Sequence, residues 1–402
     1  MKAPNSWNQE AHKLWSKGDK EAAFKAVLEK LNSYNKKKPR DLLVQFAYYL
    51  FLINDYKAAA DVFKQAYDTY PNDIEVIRNL SVCLGKANEL EESIFYAHKL
   101  LELNPDEILA YDTLAQSHQR LGQYKESSEA GTNSLTLKDA HYTKPIPDGW
   151  ELPKVKPSEY AKGKKNVISF SLFGSQPRYL RGALRNLLLA EDLFPNWELW
   201  FYLDNSVPQD FQELITKLGG IIKKQPDGQT LRQKLAWRFE VSDDKDVGYF
   251  LIRDIDSVIS VRELSAVVEW LQSDMYFHIM RDWWTHTDLI LAGMWGGIAG
   301  ILPNMKEAVQ AYSPGLAETP NIDQWFLRDV IWKYVRTSVM SHDRCFDFMS
   351  PKRWPVFPTM EQDTHVGMNE IAVKHKNQDS FLEAWIDKYP CLQSQKTFKI
   401  RL

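Results

Sequence analysis

The chain has 402 residues, 44% hydrophobic and 26% charged, a globular balance with room for two or three domains at roughly 100–200 residues each. Its net charge of −3 excludes a general binder of nucleic-acid phosphate, which would be basic. Cys83, Cys345 and Cys391 lie far apart and form no C-x-x-C, which excludes a disulfide framework or structural zinc; with no signal-like apolar start and no run of about 18 apolar residues, a cytoplasmic protein without a membrane span is expected.

Residues 5–137 read as helix pairs. Leu43, Ile77 and Tyr111 are spaced by 34, as are Phe46, Leu80 and Leu114. Small residues keep the same step at Ala47, Ser81 and Ala115, and at Ala59, Ser93 and Ser127. Pro71 and Pro105 close two units at that spacing, and a looser first unit holds Trp7, Ala11, Gly18 and Ala23. This pattern, about four units in residues 1–137, resembles the tetratricopeptide repeat. A helix pair has one apolar stripe and buries it only against a neighbour, so the units are expected to stack. The concave face of such a stack is expected to bind an acceptor or a partner protein, or the stack extends or dimerises the second domain.

Residues 138–165 hold four prolines and two glycines with many lysines and no helical period, which predicts a linker. From 166 strands and helices alternate. "NVISFSLFG", "ELWFYLDN", "IIKKQP" and "GYFLIRDID" read as strands. The segments "YLRGALRNLLLAEDLF", "PQDFQELITKLGG" and "TLRQKLAWRFEVSD" read as the helices between them. The expected class is therefore α followed by α/β, with a largely parallel sheet in residues 166–402. Ligands in open sheets of this kind bind beyond the carboxyl ends of the strands.

Asp254 and Asp256 lie at such an end. Alternate residues of an extended segment point the same way, so both carboxylates converge on one place. Two hard oxygen donors suit Mg²⁺ or Mn²⁺ bridging a diphosphate. A D-x-D also serves simply to end a strand. Arg253 beside it either pairs with a neighbouring acid or touches the diphosphate. Downstream, Arg281, Asp282, His286 and Asp288 interleave with Trp283 and Trp284, a mixture suited to sugar hydroxyls and sugar C–H faces. "SHDRCF" from Ser341 to Phe346 reads as a polar loop near the site.

The ordered series "VISFSLFG", "FYLDNS", "LAWRFEVSD", "YFLIRDIDSVIS", "AGMWGGIAGILP", "NIDQWFLRDVIW" and "HVG" resembles nucleotide-sugar glycosyltransferases of GT-A fold over residues 166–367. The resemblance implies that Phe170, Ser171, Leu172, Phe173 and Gly174 line the nucleotide site, with Arg178 near it. It implies that Asp254, Asp256 and His365 hold the metal. The stretch Ala292–Gly297, with Gly296 and Gly297, resembles the strand that walls the donor sugar, although no Asn precedes it. Asp323 and Gln324 resemble the Asp-Gln pair at the reaction centre of glycogenin-like and galactosyltransferase-like members. Glu370 stands where those members carry a Lys after the His-x-Gly.

The implied activity is metal-dependent transfer of a sugar from a UDP- or GDP-sugar to a glycan or protein acceptor. Asp282, Asp288 and Asp323 are candidate bases for an inverting reaction; the Asp-Gln and His-x-Gly resemblance leans to retention. Two other readings remain. A nucleotidyltransferase would use metal-bound aspartates too, but "FGSQPRY" has one Gly and one Arg where a Gly-rich basic loop is expected. The chain also reads as a repeat scaffold with a second domain that has lost activity.

Overall fold

The computed structural model describes residues 4–35, 37–314, 321–354, 364–368 and 378–393. The chain forms two compact units, Met1–His141 with Cys345–Phe348, and Tyr142–Arg344 with Met349–Leu402.

The first unit is built of helix pairs: α1 (Gln9–Ser16) with α2 (Lys20–Asn32), α3 (Arg40–Leu52) with α4 (Tyr56–Thr69), α5 (Ile74–Lys86) with α6 (Leu90–Leu103), and α7 (Ile108–Arg120) with α8 (Tyr124–Tyr142). The 34-residue step recurs in the caps. Pro39, Asp73 and Glu107 precede α3, α5 and α7. Between the helices of each pair the chain turns through a left-handed residue, at Gly18, Asn54, Asn88 and Gly122. Glycine and asparagine are the residue types that enter this region at least cost. Asp19 and Asp55 then cap the second helices by accepting from Ala22 and Ala58. The small positions let helices close: Ala47, Ala59, Ser93, Ala115 and Ser127 are all fully buried. Arg40 reaches from α3 to Asp73, and Arg78 from α5 to Glu107, each with two nitrogens.

The second unit carries a seven-stranded sheet. Its strands are β1 (Lys165–Leu172), β2 (Trp197–Leu203), β3 (Ile221–Lys224), β4 (Val247–Arg253), β5 (Phe277–Arg281), β6 (Met294–Ile298) and β7 (Val339–Asp343). The order is β3-β2-β1-β4-β6-β5-β7. β1 pairs in parallel with β2 and β4, β2 with β3, and β5 with β7. β6 runs antiparallel to both β4 and β5. The sheet is thus mixed, because only a loop, with no crossover helix, joins β5 to β6. Every residue of β4 is buried, as expected of a strand covered on both faces.

The helices of this unit are α9 (Pro157–Tyr160), α10 (Pro177–Leu193), α11 (Gln209–Lys217), α12 (Leu231–Ala236), α13 (Val261–Leu271), α14 (Met305–Ala311), α15 (Ile322–Phe326), α16 (Trp332–Val335) and α17 (Gln378–Ile386). The helix expected over 230–243 divides: α12 ends at Ala236 and a 3₁₀ turn takes Trp237–Asp243. Residues of the Pro-rich stretch pack on this unit, with Trp150 Nε1 donating to Ile301 O at 2.9 Å and Tyr276 Oη to Pro153 O at 3.1 Å. Ser341–Asp343 form the end of β7, not a loop. Glu370 lies outside the described residues. Among the described residues no helix is long and apolar enough to cross a membrane, and the three cysteines form no disulfide.

Candidate active site

The topology brings chemistry to one edge of the sheet. β1, β4, β5 and β7 run the same way, and β6 returns between β4 and β5. The segments after β1, β4 and β5, and the segment before β6, therefore share the carboxyl edge.

After β4 the chain turns at once, Ser257 N donating to Asp254 O at 3.1 Å. Two glycines make room for this turn. A Cβ on Gly182 of α10 would lie 2.5 Å from Ile255 O and 2.6 Å from Asp256 Cα. A Cβ on Gly293 would strike the Asp254 carboxylate. Asp254 has a half-exposed side chain, whereas Asp256 is buried. Arg178, in the first turn of α10, donates Nε to Asp256 Oδ2 at 2.5 Å.

Arg238 is the hub of the cluster. Its backbone is tied to β1, its N–H donating to Ser171 Oγ at 3.0 Å and its carbonyl accepting from Ser169 Oγ at 2.7 Å. Its buried guanidinium then spans two acids, donating Nη1 to Asp254 Oδ1 and Nη2 to Asp323 Oδ2, the latter at 2.9 Å. Next to Asp323, Gln324 donates Nε2 to Asp288 Oδ2. Asp254, Asp323, Gln324 and Asp288 are thereby chained from three separate segments.

The electrostatics follow from burial. Desolvation and the charge of Asp254 raise the Asp256 carboxyl above the ordinary carboxylate range, against the pull of Arg178. Asp323 is raised by burial, with Arg238 opposing and Asp254 adding to the rise. For Arg238, burial acts downward, and the charges of Asp254 and Asp323 outweigh it and raise the guanidinium.

Asp282 directly follows β5 and is fully buried. It accepts Nε and Nη2 of Arg262 at 3.2 and 3.1 Å, and Val366 N at 2.9 Å; Arg344 Nε lies 3.1 Å from Oδ1. His365 stacks on Trp283, ring centroids 5.1 Å apart, and meets His286 edge-on at 5.0 Å. Burial lowers the imidazoles of both His365 and His286, His286 well below the ordinary range. Trp284 is half-buried.

Other candidates lie elsewhere. Arg253 is 1% exposed and turns into the layer beneath α13, donating to Glu263 and to the carbonyls of Ile252 and Trp295. Gly296 and Gly297 sit inside β6, where a Cβ would press on Phe250 O or the Phe277 ring. Phe170, Ser171 and Leu172 are buried in β1, so Phe173 and Gly174 are the residues that emerge at the edge. Phe173 stands edge-on to Trp237 at 6.0 Å. Lys234 lies 5.6 and 5.7 Å from the two ring centroids and donates to Asp204 Oδ2 at 2.6 Å.

Asp254 and Asp256, the two carboxylates expected to hold a metal, are each paired with an arginine, Asp254 with Arg238 and Asp256 with Arg178. Among the described residues no group of three or more His, Cys, Asp or Glu is arranged to hold a metal ion. The expected trio with His365 is therefore not assembled; His365 Nδ1 lies 2.8 Å from Val366 O. The residues that sequence reading overlooked are Arg238, Lys234, Arg262 and Arg344. Arg238 carried a signal, a cation between Trp237 and Phe239 in an apolar segment.

Residues 54–117 match the tetratricopeptide repeat family model. Peroxisomal targeting signal receptors of Candida glabrata and Kluyveromyces lactis are each 34% identical, over 91 and 89 residues. The match covers 22% of this chain and only 15% and 16% of the receptors' length. Among solved structures, YrrB, described as a TPR protein with an unusual peptide-binding site, is 16% identical over 33% of this chain and 66% of its own, at a TM-score of 0.30. MamA of Desulfovibrio magneticus RS-1 is 22% identical over 33% of this chain and 74% of its own, at 0.31. An O-GlcNAc transferase of Thermobaculum terrenum is 17% identical over 60% of this chain and 44% of its own, at 0.36.

Proposed function

We propose that the second unit is a GT-A-like glycosyltransferase domain, taking a nucleoside-diphosphate sugar and passing its sugar to an acceptor. The observation that carries this is the cluster of Asp254, Asp256, Asp288, Asp323 and Gln324 around Arg178 and Arg238 at the carboxyl edge of the sheet. In this reading Phe173 offers a face for the base, with the buried Trp237 edge-on behind it, and Arg178 and Arg238 offer charge to the diphosphate. Asp254 and Asp256 would hold Mg²⁺ or Mn²⁺. That ion would supply Lewis-acid neutralisation of the leaving diphosphate.

The chain's own acids divide their tasks by exposure and partners. Asp288 and Gln324 form a polar pair suited to orienting sugar hydroxyls. Asp323 lies against Arg238 and reaches the donor side only through it. Asp288, half-buried, is the better candidate to accept an acceptor's proton. The repeats of the first unit supply a surface for a protein or peptide, which we assign to acceptor recruitment or a partner protein.

The test is a hydrolysis and transfer screen of UDP- and GDP-sugars with Mn²⁺. Turnover that Asp254→Ala and Asp256→Ala abolish supports the reading. Pyrophosphate release from a nucleoside triphosphate and a sugar phosphate would instead identify a nucleotidyltransferase. An absence of any nucleotide binding would favour a repeat scaffold.

A further inference from the structure

The segment His365–Gly367 belongs to no helix or strand, yet three tethers fix it. Val366 N donates to Asp282 Oδ2 at 2.9 Å. Gly367 O accepts from Ser257 Oγ at 2.9 Å, and Ser257 directly follows Asp256. The Val366 side chain is 2% exposed in an apolar cluster with Ala266, Met280, Met294 and Trp354. Gly367 has φ of +85°, and a Cβ there would lie 2.6 Å from Met294 Sδ, so the close approach requires glycine.

Asp282 stands apart from the other acids of the edge. It is fully buried, and its oxygens meet two arginines and one backbone N–H. That set leaves the carboxylate facing protein on all these sides, a poor arrangement for taking a proton from an incoming hydroxyl. Arg262 is itself held, stacking on Trp354 at 4.8 Å, with its carbonyl accepting from Trp354 Nε1 at 3.1 Å. Arg344 donates Nη2 to Asp282 O at 2.7 Å. The carboxylate is thus locked in orientation before it meets Val366.

We infer that Asp282 is a positioning residue that docks His365–Gly367 against the turn of Asp254 and Asp256, and so sets the shape of the donor site. The inference rests on the donor-site reading above. Loss of the tether frees the end of the segment that carries His365 and, through Trp283, the loop between β5 and β6.

The experiment compares wild type with Asp282→Asn, Ser257→Ala and His365→Ala. Amide exchange at Val366 is followed by mass spectrometry, and binding of UDP and GDP with Mn²⁺ by calorimetry. Asp282→Asn is expected to speed exchange at Val366 about tenfold or more, the scale of one lost charge-assisted hydrogen bond. It is also expected to weaken nucleotide binding about tenfold, and adding His365→Ala to it should cost little more. Ser257→Ala, a milder change, releases the other end and should weaken binding in the same direction. Unchanged exchange at Val366, or losses from Asp282→Asn and His365→Ala that multiply, would overturn the inference. If wild type binds neither nucleotide, the donor-site reading fails and the role in positioning fails with it, while exchange at Val366 still reports whether the tether exists.

Discussion

Arg238 Nη2 donates to Asp323 Oδ2 at 2.9 Å across 85 residues of sequence, and both side chains are almost fully buried. The pair joins the 3₁₀ turn after α12 to the first turn of α15. Removing Arg238 leaves Asp323 as an uncompensated buried charge. Arg238→Ala is therefore expected to lower unfolding free energy by about 3 kcal/mol, measured by urea denaturation. Arg238→Ala with Asp323→Asn should recover part of that loss, since the one carboxylate then left without Arg238, Asp254, is half-exposed to water.

Gly182 and Gly293 press on the aspartate turn from two sides. Gly182→Ala places a methyl against Ile255 O and Asp256 Cα, both backbone atoms that cannot swing aside. The turn must shift, at a cost of about 1–3 kcal/mol. Gly293→Ala meets the Asp254 carboxylate and, at 2.8 Å, its backbone N. Both variants should stay folded yet bind nucleoside diphosphate with Mn²⁺ more weakly than wild type. Calorimetric constants equal to wild type would show that the turn does not shape the site.

A buried imidazole pair predicts how stability depends on pH. His278 of β5 lies 2.9 Å, Nε2 to Nδ1, from His342 of β7, and His342 Nε2 lies 3.1 Å from Glu269 of α13. Trp270 stacks on His278, Arg253 acts on it from β4, and Arg262 and Lys352 act on His342. Burial first, then these cations, hold both imidazoles below the ordinary 6.5, with Glu269 opposing at His342. The unfolded chain then takes up protons that the folded chain refuses. Stability is full above pH 6.5 and falls as pH drops below it, by up to about 1.4 kcal/mol per pH unit for each histidine. Asp256 and Asp323, whose carboxyls are raised, act in the opposite sense in a lower window that opens near 3.8. Denaturation at pH 7.5 and 5.5 should show the fall, and His342→Gln should flatten it.

The repeats were legible because their signal is local. A helix pair and its turn fit within one 34-residue step, so the apolar and small positions recur along the sequence. The strands β1 to β4 were legible for the same reason, each carrying a local apolar stretch, the shortest being Ile221–Ile222 of β3. The direction of β6 was not. Its five residues, "MWGGI", carry no directional signal, and antiparallel pairing is decided by the loop from Asp282 to Gly293. The aspartate turn was visible as a pattern, but its partners Arg178 and Arg238 are set by tertiary contacts 78 and 16 residues away. Arg253 shows the same limit: adjacency to Asp254 suggested the site, while strand alternation sends its side chain to Glu263.

The small positions of the repeats make a final prediction. Ser93 of α6 is fully buried, donates Oγ to Ser81 O of α5 at 2.8 Å and lies 3.1 Å from Ser117 Oγ of α7. A Cβ on Gly85 would already lie 3.0 Å from Ser93 Oγ, so the crossing has no spare volume. Ser93→Ala deletes one hydroxyl and leaves Ser81 O with its helical partner; a loss of about 1 kcal/mol is expected. Ser93→Leu inserts three carbons where backbone and small side chains meet, and should cost about 2–3 kcal/mol by forcing α5, α6 and α7 apart. Urea unfolding of the full chain, followed by far-ultraviolet circular dichroism, should show the leucine variant's helical transition moved well below that of the alanine variant. Equal transitions for the two would mean that the small residue serves its hydrogen bond and not the closeness of the helices.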